Sequence, residues 1–353
     1  MDTSRFERII AITGAAGFIG SNLAIYLVLK YPDWLFVNID SLTYAGNLSN
    51  LAAIESADNY CFEKIDIVDF ASLSDCFKRH EFDSLIHLAA ETHVDRSILG
   101  PANFVSTNIV GTFNLLEAAR ARMATAPDFR FVHVSTDEVF GSAAEGEKFH
   151  PDSRYRPQSP YAASKAAADH SVRSYFNTYG LKTIVSNCSN NYGPYQFPEK
   201  LIPLVIHNAL SDIPIPIYGD GLQVRDWLYV SDHCRALDVV LNDGKAGETY
   251  LIGGGTSTEN IDLVRKLCQL VTEKTDGKDR EHLIEFVADR PGHDRRYAVD
   301  TTKIRDELGW QPLESFDTAL ASTVDWYLAN TEWVERCVSG EYRHYYKENY
   351  VNR

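Results

Sequence analysis

The sequence feature that most constrains the fold is a glycine-rich turn near the N-terminus. An apolar segment, residues 8–13, leads into Gly14, Gly17 and Gly20, and a helical pattern continues through residues 21–30. Glycines let the backbone turn tightly and approach a pyrophosphate, which then lies at the N-terminal end of the helix. The first gap is one residue longer than in the usual dinucleotide-binding pattern, and such a turn can also be purely structural. The turn favours a nucleotide-binding strand, turn and helix.

The next apolar segments end in residues that suit the rest of a dinucleotide. Asp40 follows Gly20 by 20 residues, and a carboxylate there can accept hydrogen bonds from ribose hydroxyls while repelling a 2′-phosphate. NAD is therefore favoured over NADP, although the same aspartate could simply end a strand. Asp66, at the end of the third segment, is placed to meet an adenine amino group. Ala89 and Ala90, the last residues of the fourth segment, 84–90, leave room for a ribose.

The fifth apolar segment ends abruptly in Ser135, Thr136, Asp137 and Glu138. Ligands of open α/β sheets bind beyond the carboxyl ends of the strands, so these side chains are expected to face a substrate. An isolated motif of this kind is more often a polar turn. The functional interpretation depends on the helix that follows.

That helix is predicted to begin with Ser159 as its cap and Pro160 at its first position. Tyr161 and Lys165 are four residues apart and share a face. A lysine ammonium favours the phenolate, as does a bound nicotinamide cation, so Tyr161 is suited to act as a base near neutral pH. The Tyr-x-x-x-Lys pair is common by chance, but here it follows a glycine turn and an acidic strand end.

Polar loops in the second half of the chain suit a sugar and a phosphate. The loop 187–200 combines amides, a carboxylate and an ammonium, and a later loop carries Arg290, Arg295 and Arg296. Clustered arginines usually form a solvated or salt-bridged face. In an acidic protein, a bidentate clamp for a diphosphate is the functional alternative.

Size and composition exclude several classes of protein. The 353 residues suffice for one large α/β domain plus a smaller unit. The net charge of −15 disfavours nucleic acid as a partner. The six cysteines form no C-x-x-C pair, so we expect neither a metal site nor a disulfide framework. No apolar stretch is long enough to span a membrane, and no signal-peptide pattern is present, so we expect a cytoplasmic protein without membrane contact.

Together these patterns predict an α/β fold: a Rossmann-like doubly wound parallel sheet with a smaller mixed α/β substrate lobe on its C-terminal side. We expect residues 1–190 to bind NAD and carry the catalytic groups, and residues 191–353 to bind mainly the substrate. The chain is expected to re-enter the first domain around 224–245. A helix over 107–122 is predicted to form a core or interface element. An aromatic segment, 342–350, either covers the substrate pocket or packs on the surface.

Eight motifs carry a resemblance to known proteins. They are TGAAGFIG (13–20), NIDSLTYAGN (38–47), LAAETHVDRSI (88–98), STDEVFG (135–141), SPYAASKAA (159–167), NCSNNYGPYQFPEKLIP (187–203), IYGDGLQVRDWLYV (217–230) and DRPGHDRRYA (289–298). On these motifs the chain resembles the extended short-chain dehydrogenase/reductase superfamily and, within it, the sugar-nucleotide 4,6-dehydratases. The Thr-Asp-Glu triplet distinguishes the dehydratases within the superfamily, because relatives that only epimerise a sugar carbon usually lack the pair of carboxylates.

The resemblance implies a hydro-lyase that converts dTDP-glucose to dTDP-4-keto-6-deoxyglucose with a tightly bound NAD. Tyr161 and Lys165 would serve the redox step. Thr136 would hold the C4 oxygen of the sugar, Asp137 would be the acid of the elimination and Glu138 its base. It also implies a homodimer formed through the helices that begin near residues 107 and 160.

The ligand contacts implied by the resemblance extend these assignments. The cofactor residues are Gly14, Gly17, Phe18, Ile19, Gly20, Asp40, Thr43, Asp66, Ile67, Ala89, Ala90, Tyr161 and Lys165. The substrate residues are Thr92, Asn190, Glu199, Lys200, Tyr218, Arg225, Asn260, Arg290 and His293. Threonine at position 92, where serine is usual, keeps the hydroxyl.

Two other functions remain open at this stage. An NAD-dependent sugar-nucleotide epimerase or decarboxylase would share the cofactor half but not account for the paired carboxylates. A non-catalytic NAD-sensing regulator is also compatible with the fold, although it would be free to lose Tyr161 or Lys165, and both are present. The preference for thymidine over uridine is not determined by the sequence.

Overall fold

The computed structural model describes residue 3 and residues 5–338. Its strands are β1 (Arg8–Thr13), β2 (Trp34–Asp40), β3 (Tyr60–Lys64), β4 (Ser84–His87), β5 (Arg130–Thr136), β6 (Lys182–Cys188), β7 (Asn190–Tyr192), β8 (Ile215–Tyr218), β9 (Val224–Tyr229), β10 (Thr249–Ile252), β11 (Ser257–Glu259) and β12 (Ile284–Val287). The aromatic segment 342–350 lies outside the described residues, so the prediction about it stays open.

The α-helices are α1 (Phe18–Lys30), α2 (Phe70–His80), α3 (Val94–Leu99), α4 (Pro101–Phe104), α5 (Thr112–Met123), α6 (Pro160–Tyr179), α7 (Leu201–Ser211), α8 (Val230–Asp243), α9 (Asn260–Lys274), α10 (Thr302–Leu308), α11 (Phe316–Ala329) and α12 (Thr331–Cys337). A π-helical segment, Val105–Gly111, joins α4 to α5, where the sequence predicts one continuous α-helix. Short 3₁₀ turns cover Leu48–Leu51, Asp137–Phe140 and Glu281–Leu283.

Seven strands form one sheet in the order β10-β6-β5-β4-β1-β2-β3. Every neighbouring pair in this sheet is parallel. One core packs α1 and α8 against one face of the sheet, and a second packs α2, α5 and α6 against the other. Helices on both faces of a parallel sheet define a doubly wound fold, which confirms the predicted fold class.

A second lobe is built around two smaller sheets. β11, β9 and β7 form one, and β12 pairs with β8 to form the other. A separate apolar core joins them to α7, α9 and α11. Two elements that lie between β9 and β11 in sequence belong to the first lobe: α8 packs on α1, and β10 joins the large sheet beside β6. The chain therefore crosses between the lobes more than once, while the predicted division at residue 190 stays a prediction.

The helix that carries the Tyr-x-x-x-Lys pair begins as predicted. Ser159 caps α6, since its hydroxyl accepts a hydrogen bond from the backbone N–H of Ala162 at 3.1 Å, and Pro160 occupies the first helical turn. Gly180, at φ +72°, ends the helix in the left-handed conformation. Such a terminus favours glycine. Across residues 3 and 5–338, no helix combines the length and the apolar character needed to cross a membrane.

The glycine turn predicts a sharp difference between two substitutions. In Gly20→Ala the new Cβ would lie 2.7 Å from the Ala15 Cα and closer still to the Gly14 carbonyl oxygen, both of them backbone atoms that cannot move aside. We expect a loss of about 2 kcal/mol in the free energy of unfolding. Chemical denaturation measures it. Gly100→Ala, whose Cβ would come no closer than 3.9 Å to a neighbour, is the control; equal stability of the two variants would contradict the prediction.

Candidate active site

The glycine turn and the end of β4 form a cradle. Gly14 adopts φ +74°, and a Cβ at this position would lie 2.7 Å from the backbone nitrogen of Ala89. The two backbones approach so closely that side chains are excluded between them. This cradle fits the pyrophosphate and ribose of a dinucleotide, with the N-terminus of α1 facing the phosphates.

The predicted cofactor residues are all found around one cavity at this edge of the sheet. Its lining includes Gly14, Gly17, Phe18, Ile19, Gly20, Asp40, Thr43, Asp66, Ile67, Ala89, Ala90, Tyr161 and Lys165. Ser41, Gly46, Thr107 and Phe197 also line it and were not predicted. These four lie in loops or in the π-helical segment, where no periodic pattern identifies the inward-facing positions.

Asp40 has a second role beside its place in the cavity. Its Oδ2 accepts a hydrogen bond from the backbone N–H of Ala16 at 2.9 Å, and its Oδ1 accepts one from Leu42 at 2.8 Å. Burial raises the pKa of Asp40, while these two hydrogen bonds oppose the rise. The carboxylate thus ties the glycine turn to the following loop. A carboxylate offers about four acceptor positions, so acceptor capacity remains for ribose hydroxyls.

The acidic corner directly follows β5. Thr136 ends the strand, and its Oγ1 accepts a hydrogen bond from the backbone N–H of Glu138 at 3.2 Å, which starts the 3₁₀ turn. Asp137 is buried, whereas Glu138 is partly open to the cavities. The turn aims the two carboxyl groups into different surroundings although they are neighbours in sequence.

These surroundings separate the proton affinities of the two carboxyl groups. Burial raises the pKa of Asp137 well above its usual range, and the charges of Glu138 and Asp226 raise it further. Burial also raises the pKa of Glu138, but Arg290 and Lys200 oppose that rise. Asp137 is therefore the better proton donor and Glu138 the better base.

The electrostatics of the tyrosine and lysine differ from the sequence expectation. Burial raises the pKa of Tyr161 well above its ordinary value, and the Glu138 charge adds to the effect, while a hydrogen bond with Thr136 opposes it. Lys165 donates a hydrogen bond to the Val134 carbonyl at 2.8 Å, and burial lowers its pKa to about 8. The expectation that Lys165 makes Tyr161 acidic is not met by the protein groups alone, because the cost of burying a phenolate is larger. A bound nicotinamide cation, the second part of that expectation, would lower this pKa.

The predicted substrate residues surround a second cavity that adjoins the first. Its lining includes Thr92, Asn190, Glu199, Lys200, Tyr218, Arg225, Asn260, Arg290 and His293. Glu138 lies on both cavities and so marks their junction. A ligand in the second cavity would therefore meet the acidic corner and the cofactor site at the same end.

Asp95 is a residue of this cavity that sequence reasoning missed. Its Oδ2 accepts a hydrogen bond from the Tyr218 hydroxyl at 3.0 Å, and its Oδ1 lies 3.9 Å from a guanidinium nitrogen of Arg290. The buried carboxylate thus orients two predicted ligand residues. Only the polar character of the segment after β4 pointed to it.

The predicted cluster of three arginines does not act as a unit. Arg290 faces the second cavity, but Arg295 pairs with Asp220 at 2.8 Å and Arg296 donates to backbone carbonyls. The other arginine that lines the cavity is Arg225, which was predicted separately and whose guanidinium donates to the Asp294 carbonyl at 2.9 Å. The sequence could not show this because adjacent residues of a loop point in different directions.

Glu199 is held by two side chains from other parts of the chain. Arg96 Nε donates to its Oε2 at 3.1 Å, the Tyr44 hydroxyl donates to its Oε1 at 2.9 Å, and the guanidinium of Arg96 lies 3.9 Å from the Tyr44 ring centre. Glu199 lines both cavities, yet its carboxylate is already engaged. It fastens the loop that follows β2 to the loop that precedes α7.

Several buried polar atoms around the second cavity have no hydrogen-bond partner within the described residues. They are Asn190 Oδ1, Asn260 Oδ1, Asp95 Oδ1, Gln196 Oε1, Trp227 Nε1 and Arg290 Nε. Buried polar groups are normally satisfied. Four of these atoms are acceptors and two are donors, a mixture that suits a ligand rich in hydroxyl groups.

A parallel sheet of this order, a glycine cradle and a tyrosine-lysine pair beside an acidic strand end define a short-chain dehydrogenase/reductase fold built for nucleotide sugars. The chain belongs to the GDP-mannose 4,6 dehydratase family, whose sequence pattern matches residues 11–323.

The names of individual relatives are more specific than that of the family. A dTDP-glucose 4,6-dehydratase of Shigella flexneri is 53% identical, with 98% of this chain and 99% of that protein covered. The solved dTDP-glucose 4,6-dehydratase of Bacillus anthracis, in complex with NAD, is 43% identical with a TM-score of 0.85, covering 94% of this chain and 99% of that one. That of Streptomyces venezuelae, solved with NAD and a second ligand, is 44% identical with a TM-score of 0.87, covering 93% and 99%. The resemblance predicted from the motifs is confirmed.

The contacts of Glu199 lead to a prediction about stability. Arg96→Met would leave the buried Glu199 carboxylate with a single neutral donor, Tyr44. We expect a loss of about 3 kcal/mol in the free energy of unfolding, measured by chemical denaturation. Glu199→Gln in the Arg96→Met background removes the unpaired charge and should recover most of the loss. A double variant no more stable than Arg96→Met would contradict this account.

Proposed function

We propose that this chain catalyses the NAD-dependent dehydration of dTDP-glucose to dTDP-4-keto-6-deoxyglucose, and is therefore a hydro-lyase. The observation that carries the proposal is the corner at the end of β5, where Asp137 and Glu138 have separated proton affinities beside Tyr161. An epimerase needs the redox pair alone. Paired carboxyl groups with opposite tendencies supply the acid and the base that elimination of water requires.

The first step is oxidation at C4 of the sugar. Thr136 holds the C4 oxygen, and Tyr161 accepts the proton of the C4 hydroxyl. Lys165 supports the phenolate through its charge, and its bond to the Val134 carbonyl fixes the ammonium behind the tyrosine. NAD, held by the glycine cradle and Asp40, would supply the hydride acceptor for this oxidation and the hydride for C6.

The second step uses the two carboxyl groups. A ketone at C4 acidifies the hydrogen at C5, and Glu138 removes that proton. Asp137, which burial keeps protonated, donates its proton to the C6 hydroxyl. The C6–O bond breaks and water leaves, which gives a double bond between C5 and C6. Hydride then adds to C6 while Glu138 gives its proton back to C5, and the proton taken up by Tyr161 replaces, through solvent, the one lost from Asp137.

The two lobes divide the ligands between them in this proposal. Residues 1–190 bind NAD, which the glycine cradle and Asp40 fit, while residues 191–353 bind mainly the sugar nucleotide. Arg225 and Arg290 are the proposed diphosphate ligands, because both cations line the second cavity close to Glu138. The cytoplasmic location expected from the sequence stays a prediction.

The reaction is tested by incubating the protein separately with dTDP-glucose and with UDP-glucose and measuring the product masses by mass spectrometry. We expect dTDP-glucose to lose the mass of one water. A product of unchanged mass would indicate an epimerase, and conversion of UDP-glucose alone would overturn the assigned nucleotide.

The separate roles of the corner and the tyrosine predict different partial reactions. Glu138→Gln should still reduce bound NAD with dTDP-glucose, because oxidation at C4 does not use Glu138, yet it should yield no dehydrated product. Tyr161→Phe is the matched comparison and should slow the reduction itself by about 10²-fold or more. Absorbance of reduced cofactor and product mass separate the two steps. Full turnover by Glu138→Gln would remove that residue from its role.

We also propose a homodimer through the face formed by Val105, Val110 and Phe113. These apolar side chains are 42–49% exposed on the π-helical segment and the first turn of α5. The resemblance implies an interface in this region. Exposed apolar residues grouped on one surface favour association.

Phe113→Glu should weaken this dimer, since it introduces a charge into an apolar contact. Sedimentation equilibrium is expected to show wild-type dimers and mostly monomers for the variant. Leu29→Glu, at a 71% exposed position on α1, changes an apolar residue elsewhere and should leave the dimer intact. A monomeric wild-type protein, or equal effects of the two variants, would contradict the interface.

A further inference from the structure

The helix α6 carries a line of polar side chains that continues beyond the tyrosine and lysine. Tyr161, Lys165, Asp169 and Arg173 follow one another at four-residue spacing and therefore lie on one face. Tyr161 and Lys165 are buried at the cofactor cavity, and Asp169 is completely buried one turn deeper, with 0% exposure. The proposed reaction uses the first two of these residues and leaves Asp169 without a role.

Asp169 is held firmly as a carboxylate. Its Oδ2 accepts hydrogen bonds from the Tyr155 hydroxyl at 2.7 Å and from the Asn187 amide at 3.0 Å. Its Oδ1 lies 3.2 Å from Nε2 of His133 without forming an aligned hydrogen bond. The imidazole of His133, the charge of Lys165 and the Tyr155 hydroxyl lower the pKa of Asp169 despite its burial. Asp169 is therefore a carboxylate at neutral pH.

Arg173, one turn beyond Asp169, is a second cation near this carboxylate, because its guanidinium donates to the Tyr155 hydroxyl at 2.7 Å. The histidines and the cysteine around Lys165 are neutral. His133 on β5 and His87 on β4 both have a lowered pKa because they are buried and because the lysine charge repels a second proton. Burial raises the pKa of the Cys188 thiol, on β6, to about 12. Tyr161, on the same helix, lines the cofactor cavity. Within the part of the chain that the structure describes, Asp169 is thus the anion that supports the lysine charge.

We propose that Asp169 is a positioning residue: a buried counter-charge that keeps Lys165 protonated in the dry interior and thereby sets the upper pH limit of the reaction. The inference rests on the proposed function, because the charge of Lys165 matters to the chemistry only if Tyr161 is the base.

The pKa of Lys165 lies only slightly above neutral pH, so a small further decrease would remove its charge. Burial lowers the pKa of Lys165 to about 8 even though Asp169 acts in the opposite direction. A depressed lysine pKa means that the ammonium is present below that pH and is lost as the pH rises through it. Without the carboxylate, the same loss would occur at lower pH. Tyr161 would then have a neutral neighbour under ordinary working conditions.

The test is the pH dependence of turnover in Asp169→Asn, an isosteric variant without the charge. The rate with dTDP-glucose is measured from well below to well above the lysine pKa of about 8. We expect the alkaline fall of the rate to move down by roughly one pH unit or more. The variant should approach the wild-type rate at the acidic end and lose roughly tenfold or more above neutrality.

Two further variants separate charge from structure. Tyr155→Phe removes a hydrogen-bond donor to Asp169 but keeps the carboxylate, so its alkaline limit should match that of the wild type. Asp169→Ser, which is smaller, replaces Asp169→Asn if that protein does not fold, as judged from its thermal midpoint and retained NAD. The same downward shift is expected.

The outcomes are distinguishable. A rate that falls equally at every pH in the neutral variants, with the alkaline limit unmoved, would show a purely structural role and overturn the inference. An alkaline limit displaced as far in Tyr155→Phe as in Asp169→Asn would also overturn it, since the charge is intact there. If the wild-type protein does not dehydrate dTDP-glucose at all, the proposed function fails instead.

Discussion

Burial of ionisable groups at the carboxyl end of β5 is the constraint on which the rest of the site depends. A dry interior disfavours the charged form of every group, so it raises the pKa of Asp137 and Tyr161 and lowers that of Lys165. One buried carboxyl group is thereby a proton donor, while Glu138, near Arg290 and Lys200, remains the better base. Two adjacent residues of the same chemical type differ in proton affinity because burial and neighbouring carboxylates dominate at Asp137, whereas cations oppose the effect of burial at Glu138.

The topology of the sheet brings these groups together. All seven strands of the large sheet are parallel, so the residues that follow β1, β2, β4, β5 and β6 meet at one edge although they are spread over most of the first 200 positions. The second lobe adds its cations at the same edge, and Glu138 lies where the two cavities join. The acid and the base both follow β5, and the redox pair lies at the start of α6, so two neighbouring elements supply all the groups that the reaction needs around one sugar ring.

Periodic and local features could be predicted from the sequence, whereas contacts between loops could not. The glycine turn, the end of β1 and the cap of α6 follow from spacing and backbone preference, and the structure has them where they were expected, whereas β4 ends at His87 and not at Ala90. The bond between Tyr44 and Glu199 joins residues 155 positions apart, and no local pattern specifies such a pair. The high pKa of Tyr161 was also missed, because the degree of burial depends on the packing of the whole sheet.

The strand β10 has a consequence for how the molecule is made. It is the last strand of the large sheet in sequence, and it occupies an outer position beside β6, with Thr249 opposite Val185. A ribosome delivers β6 about 60 residues before β10, so the newly made β6 has an open edge while β7, α7, β8, β9 and α8 are being translated. Unpaired edges of this kind promote association between chains. Synthesis of β10 closes this edge, so nascent chains are open to edge-to-edge pairing at β6 until that strand is made.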